Sequence, residues 1–262
     1  MGSLQAMPSF HGLHRERARA DSFGTAARAY DRHRPRYPAQ LIDDLVAPRV
    51  ERALDVGAGT GISSRQLANR GVDVLALEPD PRMAELAAEK GIHTRVAKFE
   101  EWDAAEQTFD LVLFAQSFHW VDPDVALAKV RRLLTDRGRL ALAWNRLFPV
   151  APSRSDFAPI YRDYMAPGSP LVTGTPTRPG LALGRVDDLL EQAGFTVSQR
   201  TFRREAHYDR EQWLDLVFTY STHLVLPAGE AHELRDRLAA RIGPAGVTVG
   251  GDALLITARP RA

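Results

Sequence analysis

Residues 53–61 read Ala53-Leu54-Asp55-Val56-Gly57-Ala58-Gly59-Thr60-Gly61. A short aliphatic run ends in an acid and three alternating glycines, and a helical pattern (62–70) begins at once. Glycines permit a tight turn and let a ligand come close to backbone, while the helix behind them offers unpaired N–H groups and the positive end of its dipole. That geometry receives a carboxylate or a phosphate. A glycine loop alone is a weak signal, so its surroundings must decide. A dinucleotide fingerprint places glycine or alanine at the sixth position of G-x-G-x-x-G, and here that position is Ile62, which disfavours a pyrophosphate. Twenty-one residues after Gly57, the next aliphatic run ends in Leu77-Glu78-Pro79-Asp80. An acid at that place can accept both ribose hydroxyls of a bound nucleoside.

Outward from this centre, aliphatic runs alternate with amphipathic stretches, the pattern of βαβ units and a parallel sheet. Strands are predicted at 53–56, 73–77, 93–96, 109–114 and 138–144, with helices at 62–70, 82–90 and 125–134. Right-handed crossovers make this an α/β, doubly wound sheet. Upstream, two short helices are predicted at 22–30 and 38–46, the second opened by Pro38, separated by the rigid segment Arg34-Pro35-Arg36-Tyr37-Pro38. Downstream, 145–184 loses periodicity apart from a helix at 157–165, and reads as an active-site lid or substrate-binding insertion. A helix at 185–193, a strand at 195–202, helices at 210–225 and 230–241, and a strand at 253–258 complete the chain.

The 262 residues carry a formal net charge of +1, 44% hydrophobic residues and no cysteine. A sizeable core can form, while disulfides, thiolate metal sites and cysteine nucleophiles are excluded. Bulk charge gives no drive toward nucleic acid or membranes, and no apolar run is long enough to span a bilayer, so a cytoplasmic protein is expected. Residues 1–20 read as a mobile arm and 21–262 as one domain. Within it, 21–50 form a helical cap, 51–145 the cofactor-binding half, 146–184 the lid and 185–262 the C-terminal half.

The motifs D-V-G-A-G-T-G (55–61) and L-E-P-D (77–80) resemble the first and second motifs of class I methyltransferases. The resemblance runs over roughly 23–258. It implies a Rossmann-like, seven-stranded, mostly parallel sheet whose last strand is antiparallel, and S-adenosyl-L-methionine as cofactor with S-adenosyl-L-homocysteine as product. It implies that Gly57, Ala58 and Gly59 meet the methionine part and Glu78 the ribose, with Pro79 beside it, and that Asp55 supports the loop and the cofactor ammonium. After the third strand, Phe99 and Glu100 flank the adenine; after the fourth, Ala115 and Gln116 approach the cofactor. Phe23, Ala27, Tyr30, Arg34-Pro35-Arg36-Tyr37-Pro38, Gln116-Ser117-Phe118-His119-Trp120 and Thr219-Tyr220-Ser221 are similar to the trans-aconitate methyltransferase-like branch. There the N-terminal helices cover the cofactor, which makes Tyr30, Arg34 and Tyr37 contacts.

Strand ends on the carboxyl side of such a sheet hold the ligand crevice, so 116–120 should lie where the transferred methyl points. His119 is the candidate catalytic residue, as a base for a hydroxyl or carboxylic acid or as a hydrogen-bonding group. Trp120, Arg146, Tyr161 and Tyr220 join it as candidate substrate contacts. Arginines 34, 36 and 146 would suit a polycarboxylate, whereas Phe148, Phe157, Tyr161, Tyr164, Phe218 and Tyr220 would suit a planar or apolar natural product. An Asp/Asn-Pro-Pro-Tyr segment for nucleobase amines is absent after the fourth strand. Asp122-Pro123-Asp124 reads as a helix N-cap, so no metal is expected. O-methylation of a small molecule is the favoured reading, by a monomer or homodimer. N- or C-methylation of a secondary metabolite, or cofactor binding without turnover, are the alternatives.

Overall fold

The structure of the protein, a computed structural model, describes residues 22–174 and 179–261, with backbone alone over 179–185. The arm expected at 1–20 lies outside the described residues. Seven strands, β1 (Arg52–Val56), β2 (Asp73–Glu78), β3 (His93–Val96), β4 (Phe109–Ala115), β5 (Leu134–Ala151), β6 (Phe195–Tyr208) and β7 (Val247–Pro260), form one sheet in the order β3-β2-β1-β4-β5-β7-β6. β1 pairs in parallel with β2 and β4, β2 with β3, and β4 with β5, while β7 runs antiparallel to both β5 and β6. The expected doubly wound sheet with an antiparallel last strand is therefore the observed one.

Period-two alternation explains how the sheet is covered on both faces. Leu54, Val112, Leu140 and Leu142 join one core, with Ala126, Leu127 and Val130 of α5 (Pro123–Leu133). Their sequence neighbours Ala53, Leu111, Ala141 and Ala143 join the opposite core. That second core is covered by Leu41, Ile42 and Leu45 of α2 (Ala39–Val46) and by Leu67 of α3 (Ile62–Ala68). The cap begins with a 3-10 turn, Phe23–Ala26, continued by α1 (Ala27–His33). Helix α4 (Pro81–Glu89) follows β2, and Met83 and Leu86 on it meet Ala27, Phe23 and Tyr30 of the cap. Asp80 and Asp122 each cap a helix with a proline at its first position, so the two Asp-Pro pairs mark α4 and α5.

The region after Trp144 departs from the sequence reading. The fifth strand, expected over 138–144, runs to Ala151 and pairs with β7 through Ala151↔Thr248. What was expected to open a lid at 146 is thus the continuation of a strand. Pro149 breaks the pattern that would have revealed it, Gly250 and Gly251 do the same on the partner strand β7, and the pairing crosses an irregularity between Pro149 and Ala151. β6 likewise extends to Tyr208. On these prolonged strands sits a third core: Tyr161 on α6 (Arg154–Tyr161), Trp213 and Leu214 on α9 (Arg210–Val217), Leu234 and Leu238 on α11 (Ala228–Ile242), and Val247 and Val249. Between these helices, α7 (Pro170–Thr173), α8 (Pro179–Gln192) and the single turn α10 (Ser221–Leu224) complete the element list.

Two helix boundaries are corrected for local reasons. The helix expected at 157–165 starts at Arg154, because Ser153 and Asp156 form a reciprocal capping box. The single helix expected at 210–225 breaks after Val217, where the buried Thr219 hydroxyl donates to the Leu216 carbonyl and the chain turns into α10. Among the described residues, no helix is long and apolar enough to cross a membrane.

Candidate active site

The turn after β1 has the strained geometry that glycine alone takes easily: φ is +64° at Gly57 and +58° at Gly59. A Cβ at Gly57 would lie 2.7 Å from Ser117 Cβ, and one at Gly59 would meet Met83 Cε at 3.3 Å. The N–H groups of Gly57 and Ala58 donate to the Leu77 carbonyl at 2.8 and 3.1 Å, which fastens the turn to the end of β2. Asp55 lies beneath the turn, fully buried, and its Oδ2 accepts the hydroxyls of Ser63 and Ser64 at 2.7 and 2.6 Å. Burial pushes its carboxyl up to about 6. Among the described residues its Oδ1 has no partner, a buried acceptor in want of a donor.

Glu78 closes β2 with its carboxylate under the same turn. Oε2 accepts the Gly59 N–H at 2.8 Å and Oε1 the Asp80 N–H at 3.0 Å. Burial outweighs these bonds and raises the group to about 7. A carboxylate has about four lone-pair sites, so two backbone bonds leave one site on each oxygen for a pair of hydroxyls.

A cavity of about 310 Å³ opens at the carboxyl ends of β1, β2 and β4. Gly57, Gly59, Glu78 and Pro79 form one wall, Phe99 and Glu100 another, and Ala115, Gln116, His119 and Trp120 a third. The cap roofs it with Phe23, Tyr30 and Arg34, and Tyr220 and Ser221 enter from the far lobe. A smaller cavity of about 40 Å³ continues from it, lined by Tyr37, Ala58, Ile62 and Ser63, and shares Tyr30, Arg34, Gly57 and Gln116.

Several devices hold these walls. Phe99 is buried edge-on against Phe114 at 5.5 Å, while Lys129 of α5 donates to the carbonyls of Phe99 and Trp102 and fixes the loop after β3. Glu100 accepts the Asp122 N–H at 3.0 Å. Gln116 takes φ of +61°, an uncommon conformation for a residue with a side chain and one found at functional sites. The 3-10 turn Phe118–Trp120 packs His119 on Trp120, with centroids 5.0 Å apart, and Phe23 of the cap stands edge-on to Trp120 at 6.0 Å. The Arg34 guanidinium lies between the rings of Tyr30 and Tyr220, at 4.6 and 4.2 Å, and donates from Nε and Nη2 to the hydroxyl and carbonyl of Thr219, each at 2.9 Å.

Of the residues expected to contact ligand, the structure does not bring Arg146 or Tyr161 to the cavity. Arg146 pairs with Asp252 on β7, because the chain here is strand rather than lid. Tyr161 is only 5% exposed in the third core, and its hydroxyl meets His223 Nε2 at 3.1 Å. Arg36, expected beside an acidic ligand, faces Asp31 at 3.7 Å. Met83, Lys98 and Asn145 line the cavity without having been singled out. Asn145 directly follows Trp144, so the strand-end rule applied to the fifth strand would have found it. Removing the Tyr161 hydroxyl (Tyr161→Phe) should lower unfolding free energy by about 1 kcal/mol and leave ligand affinity unchanged, which denaturation and calorimetry would check together.

The glycine turn and Glu78 lie within a stretch that matches known sequences. Residues 54–142 match the methyltransferase domain family. Over that stretch the chain is similar to a methyltransferase domain. An uncharacterized methyltransferase of Mycobacterium tuberculosis is 44% identical over 126 residues, 47% of this chain and 52% of that protein. Trans-aconitate 2-methyltransferase of the same species is 34% identical over 95 residues, 36% of each chain. The chain spans about half the length of the first curated relatives it matches. In fold, a structure named for a type II methyltransferase of Anaeromyxobacter dehalogenans superposes with a TM-score of 0.58 at 23% identity, covering 87% of this chain and 99% of that one. The plantazolicin methyltransferase, solved with S-adenosylhomocysteine, superposes with a TM-score of 0.53 at 14% identity, covering 96% of this chain and 98% of that one. The methyltransferase match ends at 142, so the far lobe that supplies Tyr220 and Ser221 lies outside it.

Proposed function

We propose that this methyltransferase uses S-adenosylmethionine to methylate a small molecule, with an oxygen acceptor favoured. The observation that carries the reading is that one cavity is lined both by a glycine turn over Glu78, whose oxygens each keep a site for a hydroxyl, and by His119. The residues fit the cofactor. Side chains at Gly57 and Gly59 would fill the cradle, Glu78 has one open site per oxygen for the ribose, and Phe99 with Pro79 offers apolar surface to the adenine. The orphaned Asp55 Oδ1 suits an ammonium donor, directly or through water.

When bound, S-adenosylmethionine supplies a methyl on a sulfonium whose leaving group is a neutral thioether. The protein's part is to align the acceptor, exclude water and, where the acceptor is a hydroxyl, receive its proton on an imidazole nitrogen of His119. The aromatic Phe23–Trp120 contact roofs the acceptor side and Tyr220 faces it from the far lobe. This enclosure favours a planar or apolar acceptor, and Arg34 offers a guanidinium to an acidic group on either ligand. Trp120 and Tyr220 are the proposed substrate contacts. Residues 21–50 as cap and 51–145 as cofactor half are the proposed working parts.

Titration calorimetry with S-adenosylhomocysteine, S-adenosylmethionine and NAD tests the reading, both adenosyl compounds binding and NAD not. The affinity should also climb with pH. Ribose hydroxyls donate to the charged form of Glu78, so binding lowers its pKa and releases a proton. Affinity is thus weakest where the free carboxylate is protonated, rises as pH passes from about 6 toward 8, and levels off above the free value of about 7. A flat profile over that range would remove Glu78 from the ribose site.

A further inference from the structure

The Arg34–Pro38 strap lines part of both cavities, and of its two fastening points on the sheet one, Asn145, lines them as well, while the other, Arg204, has no part in the site described so far. Strand register explains them. Asn145 on β5 stands opposite Ala253 of β7, and Arg204 on β6 opposite Gly251. Directly opposed residues share a face, as do 251 and 253 two apart, so all four lie on the face that carries α2, α3 and the strap. The small residues on the intervening strand leave room for the Arg204 side chain to reach across β7. Its Nη1 donates to Asn145 Oδ1 at 2.7 Å and to the Arg36 carbonyl at 2.8 Å. With Oδ1 committed as acceptor, the Asn145 amide must turn Nδ2 outward, where it donates to the Pro35 carbonyl at 3.1 Å. Two successive strap carbonyls are thereby held by one pair of side chains. Half-buried Arg204 forms no ion pair among the described residues, so its charge is devoted to these neutral acceptors. The residues flanking the clamped peptides, Arg34 and Tyr37, line the two cavities.

We propose that Arg204 and Asn145 are positioning residues: they clamp the strap to the sheet edge and so set Arg34 and Tyr30 over the ligand cavity. The proposal rests on the methyltransferase reading only for the identity of the ligand. Hydrogen exchange of the Tyr37 amide, which donates to Gln66 Oε1 at 3.0 Å, reports the clamp without any ligand. In the full chain, Arg204→Met should speed exchange across 34–38 about tenfold, the size expected for losing a charge-assisted bond, and leave the β1 and β4 amides unchanged. Arg204→Lys should restore most of the protection. S-adenosylhomocysteine affinity should fall about tenfold in the methionine variant and recover in the lysine variant, with kcat at saturation within about twofold of wild type. Unchanged exchange at 34–38, or a rise spread evenly over the sheet, would overturn the clamp. Failure of the wild type to bind S-adenosylhomocysteine would instead strike the methyltransferase reading, with the exchange comparison still deciding the clamp.

Discussion

Glu78→Ala is expected to weaken S-adenosylhomocysteine binding by at least about 100-fold, because two hydrogen bonds to a charged group, each contributing about 1.5–3 kcal/mol, are lost together. The same change strips the Gly59 and Asp80 N–H groups of their acceptor, so the turn itself loosens. Two controls separate these effects. Glu78→Gln keeps the volume and one acceptor oxygen, and should recover only a small part of the affinity because an NH2 then faces a ribose hydroxyl or a backbone N–H. Adenosine, which shares the diol and lacks the methionine part, should lose as much free energy as the full ligand if the carboxylate meets the ribose. An adenosine affinity untouched by Glu78→Ala would place the ribose elsewhere in the cavity.

How far the sequence carried this reading depends on where the signal was local. The turn 57–61 and Glu78 were legible because each requirement, positive φ, close approach and an acid at a strand end, is met by neighbouring residues. The sheet was legible for the same reason: Leu54, Val112 and Leu142 alternate with Ala53, Leu111 and Ala143 within single strands. The far lobe was not, since β5 beyond Trp144 is held by partners a hundred residues away, such as Arg146 against Asp252, and carries Pro149 where a periodic pattern would be sought. Tyr161 illustrates the consequence. An aromatic in a presumed lid invites a ligand role, yet the lobe has its own core and uses the hydroxyl to satisfy the buried His223, whose imidazole burial lowers to about 4. Arg204 was invisible for the converse reason, because its partners Arg36 and Asn145 become neighbours only once the register of three strands is known.

The second large effect concerns turnover. His119→Ala should reduce kcat for a hydroxyl acceptor by about 100- to 10,000-fold, the range general-base catalysis commonly supplies, while S-adenosylhomocysteine affinity stays within about threefold. The split is expected because His119 lies on the 3-10 turn after β4, beside Trp120, whereas the glycine turn and Glu78 stand at the ends of β1 and β2. His119→Gln distinguishes base from donor: it can hold a hydrogen bond at that position but cannot take the proton, so it should be nearly as slow as alanine. The nature of the acceptor then sets the size of the effect. A carboxylate is already ionised at neutral pH and needs no base, so with such an acceptor the alanine variant should lose only about tenfold, the value of one hydrogen bond to a charged group. Comparing a phenol with a carboxylic acid on the same two variants would therefore read out both the role of His119 and the acceptor class. Equal losses in ligand affinity and in kcat would show that the imidazole supports the fold of the 118–120 turn and does not act on the acceptor.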